Sequence, residues 1–372
     1  MERISTYQLF VLTMLFQTGT TIIFGFSSAA GRDAWLAAGI STVLGAMTIG
    51  LYLALMKLHP GLTLVEWYPR QFGRWLGTPI AWMYPLLLLY DAGRGLGDVR
   101  DLIPTTILPL TPHWVVLGIF MIMVAYALFC GIETLARLGE LWLPVLIMLF
   151  IVELVLIVGS DIVQTERLLP VAGKGWDRIW AAAWPLGVTQ SFGETIDFAM
   201  IWPLVKRQDK IVRTTLLATV VTGLFIALLD AVAVSVLSEA TFSRSIYPLY
   251  VLIQQINVAD FIQNLDALGV MYFLTTTFFK ISIHIFAAIY AMQKLTRVQN
   301  SRIFILPATT VVLYLGLKMA ASVLDHIETG LKILPYNLWV PLFLVLPAIL
   351  FVVAWGRKLL GTKNTESQAS EK

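Results

Sequence analysis

Apolar runs long enough to cross a lipid bilayer follow one another along almost the whole chain, separated by short polar connections. A membrane-spanning helix takes about 20 such residues, so 372 residues with short loops are filled by ten of them. The composition agrees: 58% of the residues are hydrophobic and 13% charged, with a mean hydropathy of +0.79. Soluble domains sit near 45–50% apolar and about 25% charged, which excludes an ordinary soluble protein and a disordered one. The 26 Lys and Arg against 23 Asp and Glu leave a formal charge of +3, too weak a field to hold nucleic acid. A single cysteine, Cys130, excludes an intrachain disulfide and a cysteine metal cluster. The four histidines are too scattered for a metal motif, and no nucleophile–base pair stands out. No metal or cofactor is expected, and a membrane enzyme is the least favoured class.

The spans are expected at Tyr7–Ser28, Trp35–Met56, Pro79–Leu108, Trp114–Ala136, Leu141–Gly159, Ile179–Val205, Ile211–Leu237, Leu265–Leu295, Ile303–Ala320 and Leu338–Arg357. Residues 1–6 run straight into the first apolar stretch without a cleavage site, so span one is expected to stay in the mature protein. Residues 1–372 are read as one transmembrane domain, with 7–159 and 179–357 as its two five-helix halves and 358–372 as a short cytoplasmic tail. Glu239–Asn264, mixed in polarity and containing Pro248, is read as an interfacial helix or half-buried loop. With both termini cytoplasmic, 16 Lys and Arg lie inside and 8 outside, the bias that orients membrane proteins. Tryptophans near span ends (Trp35, Trp67, Trp75, Trp82, Trp114, Trp142, Trp176 and Trp339) are read as interface anchors.

Two spans are interrupted. In span one, Gln17-Thr18-Gly19-Thr20-Thr21 places polar and small residues at mid-membrane. In span six, Thr189-Gln190-Ser191, Gly193, Glu194, Thr195 and Asp197 do the same. These are the first helices of the two halves, and Gly19 and Gly193 are 174 residues apart. Broken helices at matching positions point to a transporter-type binding site, because unwound backbone offers free N–H and C=O groups. A small-residue packing face between helices is the alternative reading of the same glycines.

Charges inside the spans are the second signal. Asp91, Arg94 and Asp98 share one face of span three, where the two acids can partly neutralise the arginine. Glu153, Glu194, Asp197, Asp230, Lys280 and His284 lie in spans five to eight. Each central charge costs about 2.5–3.5 kcal/mol on insertion scales, so these groups must face one another or a watery cavity. Lys280 is expected beside Glu194 or Asp91, and a structural salt bridge is the alternative to a functional one. Glu153 and Asp230 are read as structural or near the membrane surface. Thr275-Thr276-Thr277 can offer hydroxyls to a ligand or bond its own helix.

Several strings in order carry a resemblance over nearly the whole chain: ISTYQLFVL at Ile4, Asp33-Ala34-Trp35, GRWLG at Gly73, TTILPLTP at Thr105, RLLPV at Arg167, FGE at Phe192 leading to MIWP ending at Pro203, LDAL at Leu265 and FFKIS at Phe278. In these the chain resembles the endospore germination permease family, the B subunits of spore germinant receptors, within the amino acid–polyamine–organocation superfamily. Arg94, Asp98, Asp101, Gly193, Glu194 and Lys280 fall on family-typical residues; Asp91, Gly97 and His284 depart from them. The resemblance implies an all-α integral membrane fold of ten transmembrane helices in a leucine-transporter-like five-plus-five inverted repeat, helices 1 and 6 broken. It implies a small germinant, often an amino acid, held between spans one, three, six and eight, and a complex with A and C subunits in the spore inner membrane.

Two functions are therefore carried forward. One is a sensor whose ligand shifts a conformational equilibrium that partner subunits read. The other is an amino acid permease, either facilitative or proton-coupled, with Lys280 as the candidate proton relay in the coupled case. Both use the same expected ligand-binding residues: Thr18, Gly19, Thr20, Thr21, Arg94, Ser191, Phe192, Gly193, Glu194, Thr276 and Lys280.

Overall fold

A computed structural model describes residues 3–257 and 265–370. The chain enters through a capping box, Ser5 accepting from the Gln8 amide while the Gln8 side chain accepts from the Ser5 amide, and this launches α1 (Thr6–Thr18). α1 stops at Gly19, whose φ of 35° and ψ of −129° leave helical space. A short α2 (Thr21–Phe24) and a 3₁₀ segment (Phe26–Asp33) then lead into α3 (Ala34–Leu58). α4 (Leu64–Thr106), α5 (His113–Cys130) and α6 (Ile132–Gly159) complete the first half.

The second half begins in pieces. α7 (Trp176–Ala182), α8 (Val188–Ser191) and α9 (Phe198–Ile201) are separated by an extended residue, Trp184, and by a 3₁₀ stretch, Gly193–Asp197. Long helices resume with α10 (Ile211–Arg244), followed by the short α11 (Pro248–Gln254), then α12 (Asp266–Thr296), α13 (Ile305–Lys318), the short α14 (Val323–Glu328), and α15 (Leu346–Ser370), which continues a π-wound stretch, Pro335–Val345. The two halves are stitched at their starts. Ile4 forms a parallel bridge to Val205, its N–H donating to Leu204 and its carbonyl accepting from Lys206.

Among the described residues, seven helical stretches are long and apolar enough to cross a membrane. α1, the segment 176–204 and α4 are not among them. The first two are too short in their unbroken pieces, and α4 carries Asp91, Arg94, Asp98, Arg100 and Asp101. These three polar elements are gathered inside the bundle by apolar ones. α12 packs along α4, α10 along α3, and α1 lies among α6, α10 and α12. Fully buried Phe16, Phe192, Phe198, Phe279 and Phe343 fill the centre.

Some boundaries differ from the sequence reading. Spans four and five meet at Gly131, whose φ of 88° makes the turn, rather than across residues 137–140. Glu133 and Arg137 are 2.7 Å apart at i, i+4, so charges that look like a loop extend the helix instead. α4 begins at Leu64, about two and a half turns before the kink at Gly73 (φ 73°). In Glu239–Asn264 the helix α11 buries Leu249, Tyr250, Leu252 and Ile253, while 258–264 lie outside the described residues. Trp67 and Trp339 are not interface anchors: they are 0% and 4% exposed, whereas Trp75 is 96% exposed.

At the end of the bundle expected outside, Glu239 gathers Arg32, Lys174 and Arg178 at 2.9, 2.7 and 2.6 Å. Gly31 is required there. Its φ is 67°, and a Cβ would stand 2.4 Å from the Glu239 carboxylate.

Candidate functional site

The break in α1 sits against α12. Thr276 donates to the Gly19 carbonyl at 2.8 Å, so the freed backbone acceptor is satisfied across the helix interface. One turn further along α12, Lys280 passes so close to Gly19 that a Cβ there would lie 2.4 Å from its Cδ. Its ammonium reaches Glu194 at 2.6 Å and donates to the Gln190 carbonyl at 3.3 Å. Of the two partners expected for Lys280, the structure places Glu194 in contact. Both side chains are nearly buried, 6% and 5% exposed, and a buried pair holds only when both charges are present.

The ion pair extends inward as a cluster. His284 Nδ1 and Asp197 Oδ2 are 2.7 Å apart, and His284 Nε2 lies 3.7 Å from Glu194. Phe16 closes over it, edge-on to His284 and 5.8 Å from the Lys280 ammonium. Gln17 donates to Thr195 and Thr219 at 2.9 and 3.0 Å, which ties the end of α1 to the 3₁₀ stretch and to α10.

The second break differs from the first. At Gly193 the backbone keeps helical dihedrals and tightens to 3₁₀; the residue that leaves helical space is Trp184, nine positions earlier. The expectation of two equivalent breaks at Gly19 and Gly193 is therefore corrected. A proline at 185 removes the N–H that would continue the ladder, so the extended residue falls in front of it. Gly193 is close-packed instead, its Cβ position 3.1 Å from Phe343 and its carbonyl accepting from Tyr52 at 3.1 Å.

A polar cavity opens between α1–α2, α4, the Gln190–Glu194 turn, α12 and α14. Thr20, Asp91, Arg94, Asp98, Glu194 and Lys280 line it. It leaves about 50 Å³ of room for the centres of water-sized groups, where one water needs about 10–15 Å³, so a solute of a few heavy atoms fits. The charges on α4 do not neutralise one another along the helix as the spacing suggested. Arg94 turns to α14, donating to the His326 carbonyl at 2.8 Å with its Nη1 3.2 Å from His326 Nδ1. Asp98 meets the other ring nitrogen of His326 at 2.9 Å, and Asp91 accepts from Trp339 at 3.0 Å. Among the described residues, the second Asp91 oxygen and Arg94 Nε are buried with no hydrogen-bond partner. An acceptor and a donor thus remain in the wall of one cavity.

Of the residues expected to bind ligand, Thr20, Arg94, Glu194 and Lys280 line this cavity. Gly19 backs it through Lys280. Thr21 and Ser191 instead spend their hydroxyls on each other at 2.9 Å. Phe192 points to α3, where Gly45 makes room for its ring. Thr18 and Thr276 line a separate apolar cavity on the far side of α1. The cavity also uses Gln190, His284, His326 and Trp339, which are not among the ligand-binding residues expected from the sequence. His284 was visible as an intramembrane residue at i+4 from Lys280. His326 and Trp339 carry no local signal, because their roles come from α14 folding back onto α4 and from the π-wound stretch. Asp230 is fully buried away from the membrane surface and accepts a hydrogen bond from Ser27.

Relatives place this geometry. The sequence profile described as "Spore germination protein" matches residues 3–323. Spore germination protein KB of Bacillus subtilis (strain 168) is 29% identical over 369 residues, 99% of each chain. Spore germination protein YndE of the same organism is 25% identical over 146 residues, 38% of this chain and 39% of its own. Among solved structures, MHP1, a nucleobase-cation-symport-1 family transporter in a closed conformation with bromovinylhydantoin bound, superposes with a TM-score of 0.70. It is 14% identical and covered over 78% of its length by 94% of this chain, so the fold is that of a transporter. With the profile spanning most of its length, this chain belongs to the spore germination protein family.

Proposed function

We propose that this chain is the germinant-sensing membrane subunit of a spore germination receptor, and that the polar cavity takes a small nutrient, an amino acid zwitterion. The carrying observation is the Lys280–Glu194 pair, held at 2.6 Å directly behind the break at Gly19. Ligand charge beside that pair alters the balance that fixes α1 against α12, which gives the two states of a sensor different affinities. The unpaired Asp91 oxygen suits the ligand ammonium and the free Arg94 Nε suits its carboxylate. Signalling to A and C subunits in the spore inner membrane, with both termini on the core side, completes the reading. The excess of Lys and Arg in the loops assigned inside supports that orientation.

The seven apolar stretches, together with α1–α2, α4 and the segment 176–204, support ten crossings. The transporter fold supports their arrangement as two inverted five-helix repeats. A proton-coupled permease is the second reading, favoured by the run Lys280–Glu194–His284 along the cavity wall, which ends on Asp197 behind it. Purified protein in liposomes with labelled amino acids separates them. Saturable binding without flux, lost in Asp91→Asn, is the expected result. Saturable flux assigns the permease, and absence of both rejects the cavity as a nutrient site.

A further inference from the structure

The second cavity lies between α1, α6, α10, α11 and α12, on the other side of α1 from the polar one. Its wall is almost wholly apolar, with Leu146 of α6 on one side and Phe225, edge-on to Phe150, on another. Into it projects one acid, Glu153, 3% exposed. Among the described residues no Lys, Arg or His pairs with this carboxylate; its polar neighbour Tyr272 is neutral. A carboxylate held in an apolar chamber without a cation is strongly disfavoured in its charged form. A ligand that brings the cation and fits the apolar walls relieves that penalty. About 60 Å³ is open to the centres of water-sized groups, against about 10–15 Å³ for one water, which limits the ligand to a short chain.

We infer that this chamber is a second ligand site, for a short primary alkylammonium whose head group pairs with Glu153 and whose chain packs on Leu146 and the two phenylalanines. The site bears on the first through α12. Thr276 lines the apolar chamber and donates to the Gly19 carbonyl, and Lys280 one turn on lines the polar one. An occupant of the chamber therefore touches the helix break from behind.

The probe is tritiated n-butylamine, measured by scintillation proximity on the purified full-length chain in nanodiscs at neutral pH. Saturable binding is expected, weakened at least tenfold in Glu153→Gln and equally in Leu146→Trp, which keeps the carboxylate and fills the chamber. n-Butanol, with the same chain and no charge, is expected to displace the amine at least tenfold more weakly than unlabelled n-butylamine does. Binding retained within twofold in Leu146→Trp overturns the location, and retention in Glu153→Gln overturns the recognition. If Glu153→Gln fails to fold, the Leu146→Trp and n-butanol results decide alone. Butanol competing as well as the amine also overturns the proposal. The nutrient reading is unaffected by any of these outcomes, because its tests use Asp91 and labelled amino acids.

Discussion

Lys280→Met isolates the contact on which the candidate site rests. The substitution keeps most of the side-chain volume and removes one ammonium. Glu194, 4% exposed, then loses a partner at 2.6 Å. Breaking a buried pair from one side costs about 3–5 kcal/mol, whereas removing both charges is close to neutral. His284, 3.7 Å from Glu194, is too far to replace the lost contact, so the lower end of that range, about 3 kcal/mol, is a floor. At about 1.4 kcal/mol per decade this is roughly a hundredfold in the folded-to-unfolded ratio. At about 2–4 °C per kcal/mol, the thermal midpoint is expected to fall by about 6–12 °C. Lys280→Met combined with Glu194→Gln is expected to recover most of that drop while remaining unresponsive to nutrient. Thermal unfolding of the purified variants in nanodiscs reads stability, and nutrient-triggered spore response reads function. A single variant melting within about 1 °C of the parent, or a double variant no more stable than the single, would show that the two charges do not depend on each other.

Gly19→Ala is expected to abolish the nutrient response, since the backbone there has φ +35° and the new Cβ meets Lys280 Cδ at 2.4 Å. Gly193→Ala, with ordinary dihedrals and a 3.1 Å approach to Phe343, is expected to leave a weakened response; membrane levels of both variants and equal loss in both would contradict this order. Trp339→Phe takes away the donor to Asp91 and is expected to destabilise by about 1–3 kcal/mol, the cost of leaving a buried acceptor unsatisfied; an unchanged melting midpoint would mean Asp91 does not need it. At the bundle end, His59 is fixed as the neutral ring, Nδ1–H donating to Leu55 and Nε2 accepting from Gln71. Burial lowers its pKa below the ordinary value against the opposing Leu55 bond, and Arg70 lowers it further. Its folded form therefore binds fewer protons than the unfolded form, so its contribution is complete above about pH 6.5 and is lost as pH falls below that. The melting midpoint of His59→Gln is expected to vary less than the parent's between pH 7 and pH 5, and equal slopes would exclude the assignment.

The chain's membrane character, the interruption at Gly19 and the need for buried charges to meet were all legible in the sequence. Each follows from local composition: an apolar run has one stable form in lipid, a glycine among threonines weakens a helix wherever it sits, and an intramembrane charge must find a partner. The family resemblance was legible for the same reason, being a matter of residue order. Which charges meet was not local. Lys280 stood equally near Glu194 or Asp91 on paper, and only the packing of α12 against the Gln190–Glu194 turn chose the former.

Gly19 and Gly193 look alike as strings, yet one leaves helical space and the other packs beneath Phe343. The difference lies in what presses on each backbone, which is a property of neighbours distant in sequence, Lys280 for one and Phe343 for the other. The same holds for His326 and Trp339. Neither has a periodicity or motif around it, and each acquires its role when α14 and the π-wound stretch fold back onto α4. Sequence alone determined that this chain lives in a bilayer and bends at its first span. The tertiary structure decided which side chains share a cavity, because helix rotation and depth are set by contacts between spans rather than within them.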